Sequence, residues 1–491
     1  MRLLFAQREP YEFLKDLAAG GTLADPLLDR QLRLLVDAFR ARQLPHETIQ
    51  KQVALEKTLE ATFTNHRGQL DGQSVSDNQI LEVLVQSDDP ARRRRAWEAS
   101  KQVGEKVEAD LLALVRLRNE GARTLGFSNY YAMSLELDEL DEAELFALLD
   151  TLERDTQPLW DAYKSDLDAR LAKRFGIAAT DLRPWHYSDP FFQEAPAAEV
   201  DLDPFYAKHD LEQLTGRFYA TIGLEADDVM KLADLYERPG KNQHAFCMSV
   251  DRDREIRVLC NNKPTEKWMG TMLHEFGHAV YDKYTDHTLP WLLRSQAHIL
   301  TTEASAMLFG RLSKNPVWMR RWAQADAAAL AAAAGPVARA VREQLLVQTR
   351  WELVMIHFER ALYRDPAQDL RSLWWALVKR FQGVTAPEGR HAPDWAAKIH
   401  FSIAPVYYQN YLLGEMLASQ LQDHLPSTVA GGGPDRWERF VTEPAVGAFL
   451  RERFYAPGKR WSWRELVTRA TGRPLEPRPF VDDLAGRTFA A

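Results

Sequence analysis

Apolar residues in roughly the first third of the chain recur at helical spacing, as in Leu27-Leu28-x-x-Gln31-Leu32-x-x-Leu35 and Leu111-Leu112-x-x-Val115-x-Leu117. Ser87-Asp88-Asp89-Pro90 predicts a helix start, with an acidic cap and a proline suited to the first turn. Arg92 to Arg95 follow at once. Consecutive helical residues splay by about 100°, so these arginines read as a solvated helix surface and not as one basic stripe. The pattern breaks at Pro184–Pro204, rich in proline, aspartate and aromatics, which reads either as a connection between lobes or as the lining of a cleft. Strand character is convincing only over Gln243–Val250 and Ile256–Cys260, flanking the polar turn Asp251–Glu255, and predicts a hairpin. Helical patterns then resume. Asp326 precedes the alanine run Ala327–Ala334, closed by Gly335-Pro336, and further helices are predicted over 338–362 and 367–382. Gly431-Gly432-Gly433-Pro434 reads as a surface loop, and no repeat of fixed period occurs.

A chain of 491 residues exceeds one compact core, so two helical lobes are expected, 1–185 and 186–491. Its net charge of −8 argues against nucleic acid as a partner. The two cysteines, Cys247 and Cys260, exclude a disulfide framework; they could face each other across the hairpin, and reduced thiols are the expectation. No apolar run reaches the roughly 18 residues that span a bilayer. The N-terminal apolar stretch is too short for a signal peptide, so a cytoplasmic location is expected.

The chemistry centres on His274-Glu275-Phe276-Gly277-His278. Residues four apart share a helix face, so both imidazoles reach one metal ion, and a two-imidazole set suits Zn²⁺ with an open position for water. A third ligand must come from elsewhere. Glu303 is the only carboxylate between Asp286 and Asp326 and stands in an apolar helix, where a cation would compensate its burial; the alternative is an ion pair with Arg294 or Arg311. His298, five residues ahead of Glu303, falls on a different face and reads as a satisfied polar contact. Tyr281 and Tyr284 exclude the extended metzincin pattern, which needs glycine and histidine there. Zinc would polarise a scissile carbonyl and acidify water, with Glu275 as the base that later delivers the proton to the leaving amine. Lys398, His400, Tyr407, Tyr408 and Tyr411 lie within fourteen residues and offer donors to an oxyanion, or else form core aromatics with a snorkelling lysine.

The chain resembles the angiotensin-converting enzyme (peptidyl-dipeptidase A) family, with kinship to the oligoendopeptidase F and thimet oligopeptidase group. The likeness runs from about residue 75 to the C-terminus and is strongest over 241–310 and 380–416. His274-Glu275-x-x-His278 followed by Glu303 matches the zinc arrangement of both groups. Gln243-His244-Ala245 resembles the stretch on which converting enzymes lay the substrate backbone, which implies peptide contacts for His244 and Ala245. Phe381-Gln382-Gly383-Val384 and Asp394–His400 also match. The resemblance implies that Lys398 and Tyr408 hold a substrate C-terminal carboxylate, that His400 contacts the backbone and transition state, and that Tyr411 donates to the oxyanion. Three departures stand out. The interval from His400 to Tyr408 is one residue longer than the pattern. Asn410 replaces the arginine linked to chloride activation, so chloride dependence is not implied. The glutamine that completes the carboxylate pocket has no clear counterpart in Trp185–Gln193. Leu235–Lys241 resembles the oligoendopeptidase group instead.

The expected fold is mainly α: a two-lobed gluzincin peptidase of one catalytic domain, with a deep central cleft and a small active-site hairpin. The expected function is a zinc metallopeptidase, one Zn²⁺ per chain, releasing C-terminal dipeptides from short oligopeptides. The alternatives are an oligoendopeptidase and a peptide-binding relative without catalysis. No nucleic acid or membrane partner is expected, and monomer and dimer are both open.

Overall fold

Asp89 starts the helix Pro90–Thr124 as expected, its carboxylate accepting the Ala91 N–H at 2.9 Å. The same device opens the helices Glu142–Phe175 from Asp141 and Leu370–Gln382 from Asp369. These elements belong to a computed structural model that describes residues 2–196 and 200–487. The described chain is mainly helical, with two small antiparallel two-stranded sheets. Where the sequence suggests a change of lobe near residue 185, the packing groups the chain into two discontinuous units. One comprises Met1–Thr22, Leu32–Ala197 and Glu343–Gln409; the other comprises Leu23–Gln31, Ala198–Arg342 and Asn410–Ala491.

In the first unit Leu111, Leu114 and Val115 are fully buried along Pro90–Thr124, the face that their spacing marks. Arg93 corrects the reading of the arginine run. It is fully buried, whereas Arg92, Arg94 and Arg95 are exposed. Its guanidinium donates to the carbonyls of Ser87, Trp185, His186 and Tyr187 at 2.7–3.1 Å, which satisfies a charge that burial would otherwise penalise. Those bonds fix the aromatic stretch that follows Pro184. Trp185 packs on Trp97 at 6.0 Å between ring centroids, and Tyr187 stacks on Phe192 at 4.4 Å. The segment is therefore packed wall over 184–192; the unit boundary falls later, at 197–198, within residues 197–199 that lie outside the described set.

A second hairpin was not expected from the sequence: Gly68–Leu70 pairs with Gln73–Val75 around Asp71-Gly72. Both turn residues have positive φ, 54° and 79°, the conformation that an Asp-Gly pair favours.

In the second unit the expected hairpin spans Phe246–Ser249 and Ile256–Leu259. Cys247 pairs with Val258, not Cys260, and both thiols are free. Lys241 braces the base of the hairpin by donating to the carbonyls of Asp234, Tyr236 and Cys260. The alanine run does not end at Gly335-Pro336; a single helix covers Ala327–Arg364 with Pro336 inside it. An interior proline costs ~3 kcal/mol, and this helix, which continues into the first unit from Glu343, offsets that by burying Val347, Leu353, Val354, Ile356, Phe358 and Leu362 there.

Candidate active site

The helix Glu266–Tyr284 starts where the Thr265 hydroxyl accepts the Trp268 N–H. Met269, Met272, Phe276 and Val280 are fully buried and fix its rotation. The motif side chains His274 and His278 then lie one turn apart, their rings 4.9 Å between centroids. The helix packs on Ile299–Gly310 with backbone against backbone: a Cβ added at Gly277 would stand 2.7 Å from the Ala306 Cα. That approach carries Thr302 and Glu303 to the motif. The Thr302 hydroxyl meets His278 Nδ1 at 2.7 Å, which leaves Nε2 as the nitrogen available to a metal. The helix Tyr408–His424 closes on the glutamate through Gly414, where a Cβ would lie 3.0 Å from the Glu303 Cβ.

Ligand atoms of His274, His278 and Glu303 all lie within 4.8 Å of one another. Burial lowers the imidazole pKa values to about 4 at His274 and about 3 at His278, which keeps both neutral as a metal requires. Glu303 has no hydrogen-bond or ion-pair partner among the described residues, and its carboxyl is pushed up to about 7 by burial and then by Glu415. The arginines that could have paired with it are engaged elsewhere, Arg294 with Asp253 and Arg311 with Glu415 and Asp483. Two neutral imidazoles and one uncompensated carboxylate fit a zinc ion. Glu275 is 7% exposed, and burial, with the Glu303 charge second, raises its pKa to about 7, in the range useful to a base. His298 is a cap: its Nδ1 accepts the Leu300 N–H at 3.1 Å. His244 is exposed and Ala245 half-buried, just ahead of the strand Phe246–Ser249. Tyr411 lies three residues before Gly414, within the same unit as His274, His278 and Glu303.

Lys398, His400 and Tyr408 belong to the first unit. The Lys398 ammonium stands over the rings of Phe191 and Trp351 at 5.3 and 5.1 Å, and burial lowers its pKa to about 8. A glutamine does reach it: Lys398 Nζ donates to Gln193 Oε1 at 2.7 Å, and the Gln193 amide nitrogen donates to Asp189 at 3.2 Å. The Trp351 N–H donates to the Tyr408 hydroxyl at 3.4 Å, and the Tyr408 ring lies 5.0 Å from His400. Sequence reasoning missed Gln193, Trp351 and Thr302. Only Gln193 carried a signal, its place at the end of Asp189-Pro190-Phe191-Phe192.

A mainly helical fold bearing such a centre is that of a metallopeptidase. The chain belongs to peptidase family M3, whose model matches residues 83–486; the family is one of zinc-dependent enzymes acting on peptides. The chain is also similar to angiotensin-converting enzyme of Mesocricetus auratus, 21% identical over 493 residues that cover 90% of this chain and 36% of that protein. Angiotensin-converting enzyme of Rattus norvegicus is 23% identical over 439 residues, 81% of this chain and 32% of that one. Carboxypeptidase 1 of Bacillus subtilis is 23% identical over 269 residues, 50% and 52% of the two chains. The chain thus spans about a third of the converting enzymes' length. Among the described residues, no helix is long and apolar enough to cross a membrane.

Proposed function

We propose that this chain is a zinc peptidase that releases dipeptides from the free C-termini of short peptides. The observation that carries the reading is the Lys398 ammonium, half-buried between two aromatic faces, bonded to Gln193 and without an ion pair among the described residues. A cation so placed favours a carboxylate as its partner.

His274, His278 and Glu303 would hold the zinc ion, which when bound would supply Lewis-acid polarisation of the scissile carbonyl and acidify water. Glu275 takes the proton of the attacking water on its carboxylate and returns it to the leaving amine. Tyr411 donates its phenol to the developing oxyanion, and His400 donates to the peptide backbone. His244 and Ala245 contact the substrate chain next to the strand Phe246–Ser249, where main-chain bonds are independent of sequence. Lys398, Gln193 and Tyr408 hold the terminal carboxylate.

The likeness of Leu235–Lys241 to the oligoendopeptidase group favours a second reading, cleavage without a free C-terminus. One peptide offered with a free and an amidated C-terminus separates the two. Dipeptide release from the free form, with the amide slower by about a hundredfold, supports the clamp, since losing one charge-assisted pair costs roughly 1.5–3 kcal/mol. Equal cleavage of both forms rejects it in favour of an oligoendopeptidase, and release of single residues rejects it in favour of a carboxypeptidase.

A further inference from the structure

The turn between His400 and Tyr408 contains a residue in an unfavourable conformation. Val406 has φ +56°, the left-handed region that crowds a β-branched side chain. Both of its backbone groups are held by buried side chains. Its N–H donates to Glu359 Oε1 at 2.8 Å, and its carbonyl accepts from Gln409 Nε2 at 2.6 Å. The start of the same segment is held from another helix. Arg118 donates to the carbonyls of Phe401 at 3.0 Å and Ser402 at 2.7 Å, and to the Tyr363 hydroxyl at 3.0 Å.

Glu359 is 2% exposed. No ion pair compensates it among the described residues; the Arg118 charge acts on it only from further away. A carboxyl group in such surroundings is costly, and what it secures is one backbone N–H at the strained residue. His400 directly precedes the first anchored point, its ring packed on Tyr408, with Nδ1 buried and without a hydrogen-bond partner. No hydrogen bond at Nδ1 orients this imidazole, so the backbone of the turn and the Tyr408 ring set its position. Val406 also stands in the interval that is one residue longer than the converting-enzyme pattern, and its left-handed turn is where the chain changes direction before the helix Tyr408–His424.

We propose that Glu359 is a positioning residue, which through the Val406 N–H holds the turn that sets His400 against Tyr408. The proposal rests on the peptidase reading of those two side chains, but its physical content can be measured without the reaction.

The experiment compares wild type with Glu359→Gln, Glu359→Ala, Glu359→Met and the double variant Glu359→Ala with Val406→Gly. Hydrogen exchange at the Val406 amide, bound zinc, and kcat and KM on a peptide with a free C-terminus are read for each. Glutamine keeps an acceptor oxygen, so both exchange and kcat/KM should stay within about threefold of wild type. Alanine and methionine remove the acceptor; exchange should quicken and kcat/KM fall by roughly 10- to 100-fold at unchanged zinc content, as expected for release of one strained residue. Glycine at 406 adopts positive φ without a clamp, so the double variant should recover about tenfold of the loss. Methionine fills the space of the lost carboxylate and serves as the acceptor-free variant if alanine prevents folding. Equal losses in the glutamine and alanine variants, or no recovery with glycine, overturn the proposal. A wild type with the expected exchange pattern but no hydrolysis removes the peptidase reading and leaves the support of the turn standing.

Discussion

The paired metal helices and the turn from His400 to Tyr408 bring side chains to a point by opposite means. On the helices, periodicity places His274 above His278, and bare backbone at Gly277 lets the partner helix deliver Thr302 and Glu303. On the turn the backbone is irregular, and its shape is held by side chains remote in sequence: Glu359 lies 47 residues from Val406, and Arg118 lies 283 residues from Phe401. The first arrangement should fail when atoms are added. The second should fail when acceptors are removed.

The largest effect expected is on the helices. Glu275→Gln should retain zinc and lose about 10²–10⁴-fold in kcat, the usual contribution of a positioned base; metal analysis beside single-turnover kinetics checks it, and undiminished turnover would reassign the base. Gly277→Ala presses a methyl group onto the Ala306 backbone. Overpacking of that kind typically costs roughly 1–3 kcal/mol, so the denaturant midpoint should fall and zinc should be lost in parallel. Thr302→Val removes the acceptor for His278 Nδ1 and should weaken zinc binding by about 10–100-fold, with Thr302→Ser near wild type, as measured by competition with a chelator. If serine and valine weaken it alike, the hydroxyl is not what orients the ring.

The smallest change in activity is expected from titrating the turn. Burial raises the Glu359 carboxyl to about 8 from an ordinary 4.5. Its folded form therefore binds a proton more tightly than its unfolded form. The resulting stability is complete below about pH 4.5 and declines as pH rises toward 8. Glu359→Gln should remove that decline between urea midpoints at pH 5 and pH 8. Turnover should hardly respond, because a protonated carboxyl still accepts the Val406 N–H through its carbonyl oxygen. Parallel slopes in the two proteins would place the titration elsewhere.

The same contrast explains what the sequence made legible. Helix starts at Asp89 and Asp326 were readable because a cap acts within three residues, as the Asp89 and Asp326 carboxylates do on Ala91 and Ala329. The cluster of His274, His278 and Glu303 was readable because two of its members obey one period and the third was an isolated carboxylate in an apolar helix. The Gly68–Val75 hairpin escaped because its strands are three residues each, too short for alternation, although Asp71-Gly72 marked the turn. Arg93 and Pro336 misled because local rules place charge outside and end helices at proline, whereas packing further along the chain overrode both. Gln193 offered only its place after Asp189–Phe192 and Glu359 offered no signal, since each acts on residues that only the fold brings near.

Arg93 has one more consequence. Its positive charge is met at hydrogen-bond distance by four carbonyl oxygens, and the Asp88 carboxylate acts on it only from further away. Dissolved ions screen exposed charges over about 8 Å at physiological strength, but they do not enter a fully buried contact. Salt should therefore loosen the neighbouring surface pair of Arg94 and Glu98 while the wall from Trp185 to Phe192 stays fixed. Gln193 follows that wall directly, so its seat beside Lys398 should be as firm in brine as in dilute buffer.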